Sequence, residues 1–134
     1  IPIKFFENIK DIDLVFIDDE ELHRTTWSFW ADTENKTIKT FSSVTEFLSQ
    51  TDSFPKDVKI FLDSDLGDGT KGQDYGVAIK ELGFKSVYLT TGYAHIKPIN
   101  APDFDGIIGK DPQEAKKFLS AQGLKFRSNI AELI

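Results

Sequence analysis

The sequence predicts an α/β fold, a doubly wound parallel sheet with helices on both faces, on three observations. Five short apolar runs recur along the chain, and the stretches between them carry apolar residues at helical spacing, so that strand and helix alternate throughout. The length of 134 residues is that of one domain able to bury its own core.

The first run, Leu14-Val15-Phe16-Ile17, is the longest unbroken apolar stretch. Runs this short and this apolar read as strands buried on both faces of a parallel sheet. Leu22, Thr26, Phe29 and Trp30 then share one helical face. The second strand, Thr37 to Phe41, alternates polar and apolar residues, which suits an edge with one wet face. Val44, Phe47 and Leu48 form the next helical stripe, and Val58 to Leu62 the third strand. Tyr75, Ala78, Ile79 and Leu82 form the third helix face, with Gly83 placed to end it in a left-handed conformation. Val87-Tyr88-Leu89 is the fourth strand. The segment after it holds Pro98 and Pro102 with Asn100 and Asp103, so the fourth helix is short or broken, at most a turn after Tyr93. Ile107-Ile108 between two glycines is the fifth strand, and Ala115, Phe118 and Leu119 line the last helix.

Composition excludes several classes. Sixteen Lys and Arg against 22 Asp and Glu leave a net charge of −6, and no basic run exists to track a nucleic-acid backbone. The chain has no Cys, which removes disulfides, zinc-thiolate sites and thiol catalysis. No apolar run approaches the ~18 residues of a membrane span, and no signal stretch opens the chain. The expectation is a cytoplasmic segment without membrane contact. The absence of Met, and the short stretch left after the last helix, predict a piece of a longer protein. The core is expected over about 13–122, with 1–12 and 123–134 as extensions or linkers.

In open α/β sheets ligands bind beyond the carboxyl ends of the strands, near the point where strand order reverses. After the first strand stand Asp18, Asp19 and Glu20; after the third, Asp63, Ser64 and Asp65; after the fourth, Thr90, Thr91 and Gly92; after the fifth, Lys110. Each group alone is an ordinary loop residue. Their joint placement brings carboxylates, hydroxyl and ammonium to one rim. Converging carboxylates repel one another, and a divalent cation with hard oxygen ligands, Mg²⁺, relieves that. Asp63 can then act as nucleophile toward a phosphoryl group, with Lys110 offsetting charge and Thr91 donating to an oxygen. His23 and His95 have no second imidazole at metal spacing and read as ordinary surface or helix residues. Trp27 and Trp30 read as part of a core-facing helix rather than a ligand cage.

These motifs resemble those of response-regulator receiver domains of two-component signalling. Val-Phe-Ile-Asp-Asp-Glu resembles the family's acidic-pair motif, Ile-Phe-Leu-Asp-Ser-Asp-Leu-Gly-Asp-Gly its phospho-acceptor loop, Leu-Thr-Thr-Gly-Tyr its Thr/Ser-small motif, and Gly-Lys-Asp-Pro its final Lys motif. The resemblance implies a flavodoxin-like five-stranded sheet of order 2-1-3-4-5 and Asp63 as phospho-acceptor. It also implies Mg²⁺ bound directly by Asp19 and Asp63, by Asp18 through water, and by the backbone carbonyl of Asp65. Thr91, Gly92 and Lys110 would bind the phosphoryl group and carry the switch. The implied partner is a histidine kinase or a histidine phosphotransfer domain, with a phosphorylation-dependent dimer open to it. Such a domain catalyses its own phosphorylation and dephosphorylation, within a hybrid histidine kinase or as a single-domain regulator.

Three departures stand out. Asp111 separates Lys110 from Pro112, where the family usually has a Lys-Pro cis bond. Ile107 replaces the aromatic often found three residues before that Lys, and the fourth helix carries prolines. Two other functions remain. Asp63-Ser64-Asp65 also resembles the Asp-x-Asp of haloacid-dehalogenase-like phosphatases, and the three departures fit a degenerate receiver acting as a phosphorylation-independent binding module.

Overall fold

The computed structural model describes residues 12–92 and 100–119. Readings that fall on 1–11, 93–99 and 120–134, including the turn after Tyr93, His95 and Pro98, lie outside them. Five strands form one parallel sheet: β1 (Leu14–Ile17), β2 (Ile38–Phe41), β3 (Lys59–Asp63), β4 (Ser86–Thr90) and β5 (Gly106–Ile108), in spatial order 2-1-3-4-5. Between them run α1 (Glu21–Thr33), α2 (Val44–Leu48) and α3 (Gly76–Glu81), the last entered through a 3₁₀ turn, Gly72–Tyr75. A second such turn, Pro112–Ala115, leads into helix over 116–119.

The central strands are apolar on both faces because both faces are covered. One face carries Val15, Ile17, Ile60, Leu62, Val87 and Leu89 beneath α2 and α3, with Phe41, Phe47, Phe54 and Phe84 among them. The other carries Leu14, Phe16, Phe61, Tyr88 and Ile108 against Trp27, Trp30, Ala31, Ala115 and Leu119. Rings pack in sequence across this second face: Trp27 stacks on Phe16 at 4.2 Å, Phe61 on Tyr88 at 5.0 Å, and Tyr88 meets Phe118 at 4.2 Å. Edge strand β2 keeps one wetter face, as its alternation requires. Its successor α2 is short but capped: Ser43 Oγ accepts from Glu46 N–H, and the Glu46 carboxylate reaches back to Ser42. Gly83 ends the α3 segment at a φ of +101°.

Helix faces are where periodicity misleads. On α1, Leu22 and Phe29 are 72% and 73% exposed and Thr26 faces solvent, while Trp27, Trp30 and Ala31 are buried. The stripe read from the sequence and the stripe that packs share Trp30 but lie on opposite sides of it. Leu48, Ala78 and Leu82 are likewise exposed, leaving Val44, Phe47 and Ile79 to pack inward. These helices are short, and each needs only two or three anchors to seat on the sheet. Between residues 100 and 105 the chain is irregular, and Phe104 seats its ring where a Cβ on Gly76 would stand 2.7 Å away.

No helix among the described residues is long and apolar enough to cross a membrane.

Candidate functional site

Strand order reverses between β1 and β3, and the carboxyl ends of these two strands carry the acidic residues. Asp18 follows β1 and is fully buried. Its backbone N–H continues the sheet to Phe41 O, and its Oδ1 accepts from Glu20 N–H at 2.9 Å. Asp63 is the last residue of β3, also buried, beside Thr90 in register on β4. Asp19 is exposed, and its Oδ2 lies 3.1 Å from where a Cβ on Gly67 would stand. Gly67, at φ +82°, therefore leaves room for that carboxylate. One oxygen each from Asp18, Asp19 and Asp63 falls within 4.8 Å of the others.

Lys110 reaches this cluster from the far side of β4. Gly109 and Lys110 follow β5, and the ammonium pairs with Asp18 Oδ2 at 2.7 Å and Asp63 Oδ1 at 2.5 Å. Two bonds hold the backbone that carries this side chain: Trp27 Nε1–H donates to Lys110 O at 2.9 Å, and Glu114 Oε1 accepts from Gly109 N–H at 3.2 Å. No cis peptide bond occurs among the described residues. Asp111 instead holds an extended conformation, caps Gln113 N–H with its carboxylate, and is followed by Pro112 at the first position of the 3₁₀ turn.

The electrostatics follow from burial. Desolvation pushes the Asp63 carboxyl from its ordinary 3.8 up to about 6, and the nearby Asp18 carboxylate adds to the rise. Lys110 opposes both by hydrogen bond and charge, without cancelling them. At pH 7 the ionised form of Asp63 still predominates.

No protein-family model and no curated protein matches the sequence. Solved structures do match its fold. A response regulator receiver domain (CheY-like) from Methylobacillus flagellatus aligns at a TM-score of 0.68 and 17% identity, over 82% of this chain and 97% of that one. The chain has the fold of a response-regulator receiver domain. The response regulator TrrA from Thermotoga maritima, in complex with Mg²⁺-BeF, aligns at 0.65 and 22% identity, over 79% and 96%. A response regulator from Burkholderia pseudomallei with a phosphorylated aspartic acid, calcium ion and citrate aligns at 0.67 and 18%, over 90% and 74%.

On this receiver fold, Asp18, Asp19, Asp63 and Lys110 come together as the sequence motifs require. Thr91 is buried at the end of β4, with its N–H donating to Ile108 O at 3.0 Å. Gly92 is exposed, with open space where a Cβ would stand. The Asp65 carboxylate stays outside: it is 69% exposed, accepts from Gly67 N–H at 3.2 Å and faces Lys71 at 4.0 Å.

Three residues of α1 make contacts at this site that the sequence motifs do not signal. His23 is a residue of α1 whose Nδ1 lies 3.2 Å from Asp18 Oδ2 and 3.5 Å from Glu20 Oε2. Its place in the first turn of α1, five residues after Asp18, is the available signal. Trp27 is in the core as its helix position predicts, and its bond to Lys110 O spans 83 positions and has no local signature. Arg24 also turns back, donating to Asp18 O at 2.8 Å.

Proposed function

We propose that the chain is a phosphorelay receiver that takes a phosphoryl group from a phosphohistidine onto Asp63. The observation that carries this reading is the Lys110 ammonium held against Asp63 Oδ1 beside two further carboxylates. A merely acidic loop has no use for a lysine delivered from two strands away.

The donor set fits a hard dication. Three carboxylate oxygens within 4.8 Å suit the few protein ligands that Mg²⁺ takes while keeping waters. Asp19 and Asp63 would hold it directly and Asp18 through water. The backbone of Asp65 supports a fourth contact. Asp65 and Lys71 face each other as an antiparallel pair whose bonds run through their neighbours, so the N–H and C=O of Asp65 point away from Lys71. That N–H meets Asp63 Oδ1 at 3.3 Å, and the carbonyl points to the same side. Bound Mg²⁺ supplies charge neutralisation on the transferring oxygens.

The chain's own residues do the rest. An ionised Asp63 oxygen attacks phosphorus, the new O–P bond forms as the P–N bond of the donor breaks, and the imidazole nitrogen leaves with its electron pair and takes up a proton. Lys110 stays beside Asp63 and offsets charge on the phosphoryl oxygens. Thr91 donates a hydroxyl to one of them, and Gly92 leaves the approach open. A histidine kinase or histidine phosphotransfer domain is the proposed donor of that phosphohistidine. A phosphatase would need the Asp65 carboxylate to donate a proton over Asp63, and its exposed position on Gly67 N–H favours the receiver.

Intact-protein mass after incubation with acetyl phosphate, with and without Mg²⁺, tests the reading. It expects a Mg²⁺-dependent phosphoryl adduct that is absent from Asp63→Asn. No adduct with acetyl phosphate intact would overturn it in favour of a phosphorylation-independent binding module. Many turnovers abolished by Asp65→Asn would overturn it in favour of the phosphatase.

A further inference from the structure

We infer that Trp27 is the positioning residue for Lys110, an inference that rests on the receiver reading for its consequence but not for its geometry. Lys110 is the one candidate site residue that must cross from β5, over the end of β4, to reach Asp63 on β3. Its ammonium has to satisfy two carboxylates at once, at 2.7 Å and 2.5 Å, so a small shift of its backbone breaks one pair or both. Among the residues after it, Glu114 Oε1 accepts from Gly109 N–H at 3.2 Å, while Asp111 is exposed and its carboxylate caps Gln113.

The restraint on the Lys110 carbonyl itself comes from α1. Trp27 Nε1–H donates to Lys110 O at 2.9 Å, and Trp27 is fully buried. The indole cannot swing, because it is stacked on Phe16 at 4.2 Å and 9°, with Phe61 tilted against it at 5.3 Å and Trp30 edge-on at 6.2 Å. Phe16 and Phe61 belong to β1 and β3, the strands that carry Asp18 and Asp63 at their ends. One rigid ring system therefore ties the carbonyl of Lys110 to the two strands whose carboxylates its ammonium must meet. An indole is suited to this role, with a large apolar body and a single directed donor. Catalytic groups misplaced by about 1 Å can lose about 100-fold in rate. Loss of a single neutral hydrogen bond that leaves the packing intact should give a smaller effect, about 5- to 10-fold.

Trp27→Phe keeps the stacking and removes the donor, and β-(3-benzothienyl)alanine at position 27 replaces the N–H by sulfur with the ring shape retained. Two readouts follow. Competitive acetylation with trace acetic anhydride, read per lysine by mass spectrometry, needs no phosphorylation. Lys110, 20% exposed and doubly paired, is expected to label slowly in the native chain and several-fold faster in both variants, while Lys59 is unchanged. Rates of adduct formation from acetyl phosphate at saturating Mg²⁺ should fall about 5- to 10-fold in Trp27→Phe. They should fall no further when Trp27→Phe is added to Lys110→Ala, because a residue acting through Lys110 has nothing left to position. Unchanged Lys110 labelling in the isosteric variant, or an additive loss on the Lys110→Ala background, would overturn the inference. A native chain that forms no adduct would bring down the receiver reading alone, with the labelling still deciding Trp27.

Discussion

Replacing Asp63 by Asn should stabilise the metal-free chain at neutral pH, although it removes the group on which the proposed chemistry depends. The Asp63 carboxyl is raised by burial from 3.8 to about 6, so the folded site prefers its neutral form. The stability associated with that preference is fully present below the unfolded value of 3.8 and is lost as pH rises through about 6. At about 1.36 kcal/mol per tenfold change in ionisation, the full cost of carrying the ionised carboxylate at pH 7.5 is about 3 kcal/mol. This figure already contains the favourable pairing with Lys110. The site opens to solvent at the rim through exposed Asp19 and Gly92, and screening there reduces the gain to about 1–2 kcal/mol. Asn keeps the side-chain shape, and Lys110 keeps its bond to Asp18. Urea denaturation in EDTA should therefore show Asp63→Asn more stable by about 1–2 kcal/mol at pH 7.5, with about half that gap left at pH 5. A variant less stable than the native chain at pH 7.5, or a gap that does not change with pH, would refute the reasoning. Either result would mean that Lys110 and not desolvation dominates the carboxylate's environment.

Other expectations come from the same geometry. Proton competition at Asp63 should weaken Mg²⁺ binding about tenfold for each pH unit below 6, read by tryptophan fluorescence titration. Mg²⁺ at ten times its dissociation constant should add about 1.4 kcal/mol to stability in the native chain, and Asp19→Ala should abolish that gain in thermal melts. A Cβ on Gly72 would stand 2.0 Å from the carbonyl oxygen of Asp63, a backbone atom that cannot step aside. Gly72→Ala should therefore cost about 1–3 kcal/mol in chemical denaturation, and should impair phosphorylation by moving Asp63. Leu22→Ser and Phe29→Ser, on the exposed face of α1, should change stability by no more than about 0.5 kcal/mol. Phe61→Ala on the buried side should cost about 3–5 kcal/mol, measured the same way.

What the sequence determined by itself is what local composition controls. Leu14 to Ile17 and Val87 to Leu89 are too apolar and too short to be anything but buried strands, and both are. The third run was displaced by one residue, to Lys59–Asp63, because the sheet's ladder continues to the acidic residue itself. Carboxylates at the carboxyl ends of β1 and β3 arrive at one rim because parallel strands all end on the same side, so Asp18, Asp19 and Asp63 are legible as a cluster. Lys110 was legible for the same reason.

The tertiary structure alone decided which face of α1 points inward. Apolar residues lie on both sides of Trp30, and a periodicity argument cannot rank Leu22 and Phe29 against Trp27 and Ala31. The choice falls to contacts made far along the chain: Phe16 and Phe61 offer flat rings for Trp27 to lie against, and the Lys110 carbonyl offers its indole an acceptor. The same rotation of the helix brings His23 to Asp18 Oδ2 and turns Leu22 and Phe29 out to solvent. Helical spacing encodes which residues share a stripe, and only the shape and polarity of the surface beneath determine which stripe is buried.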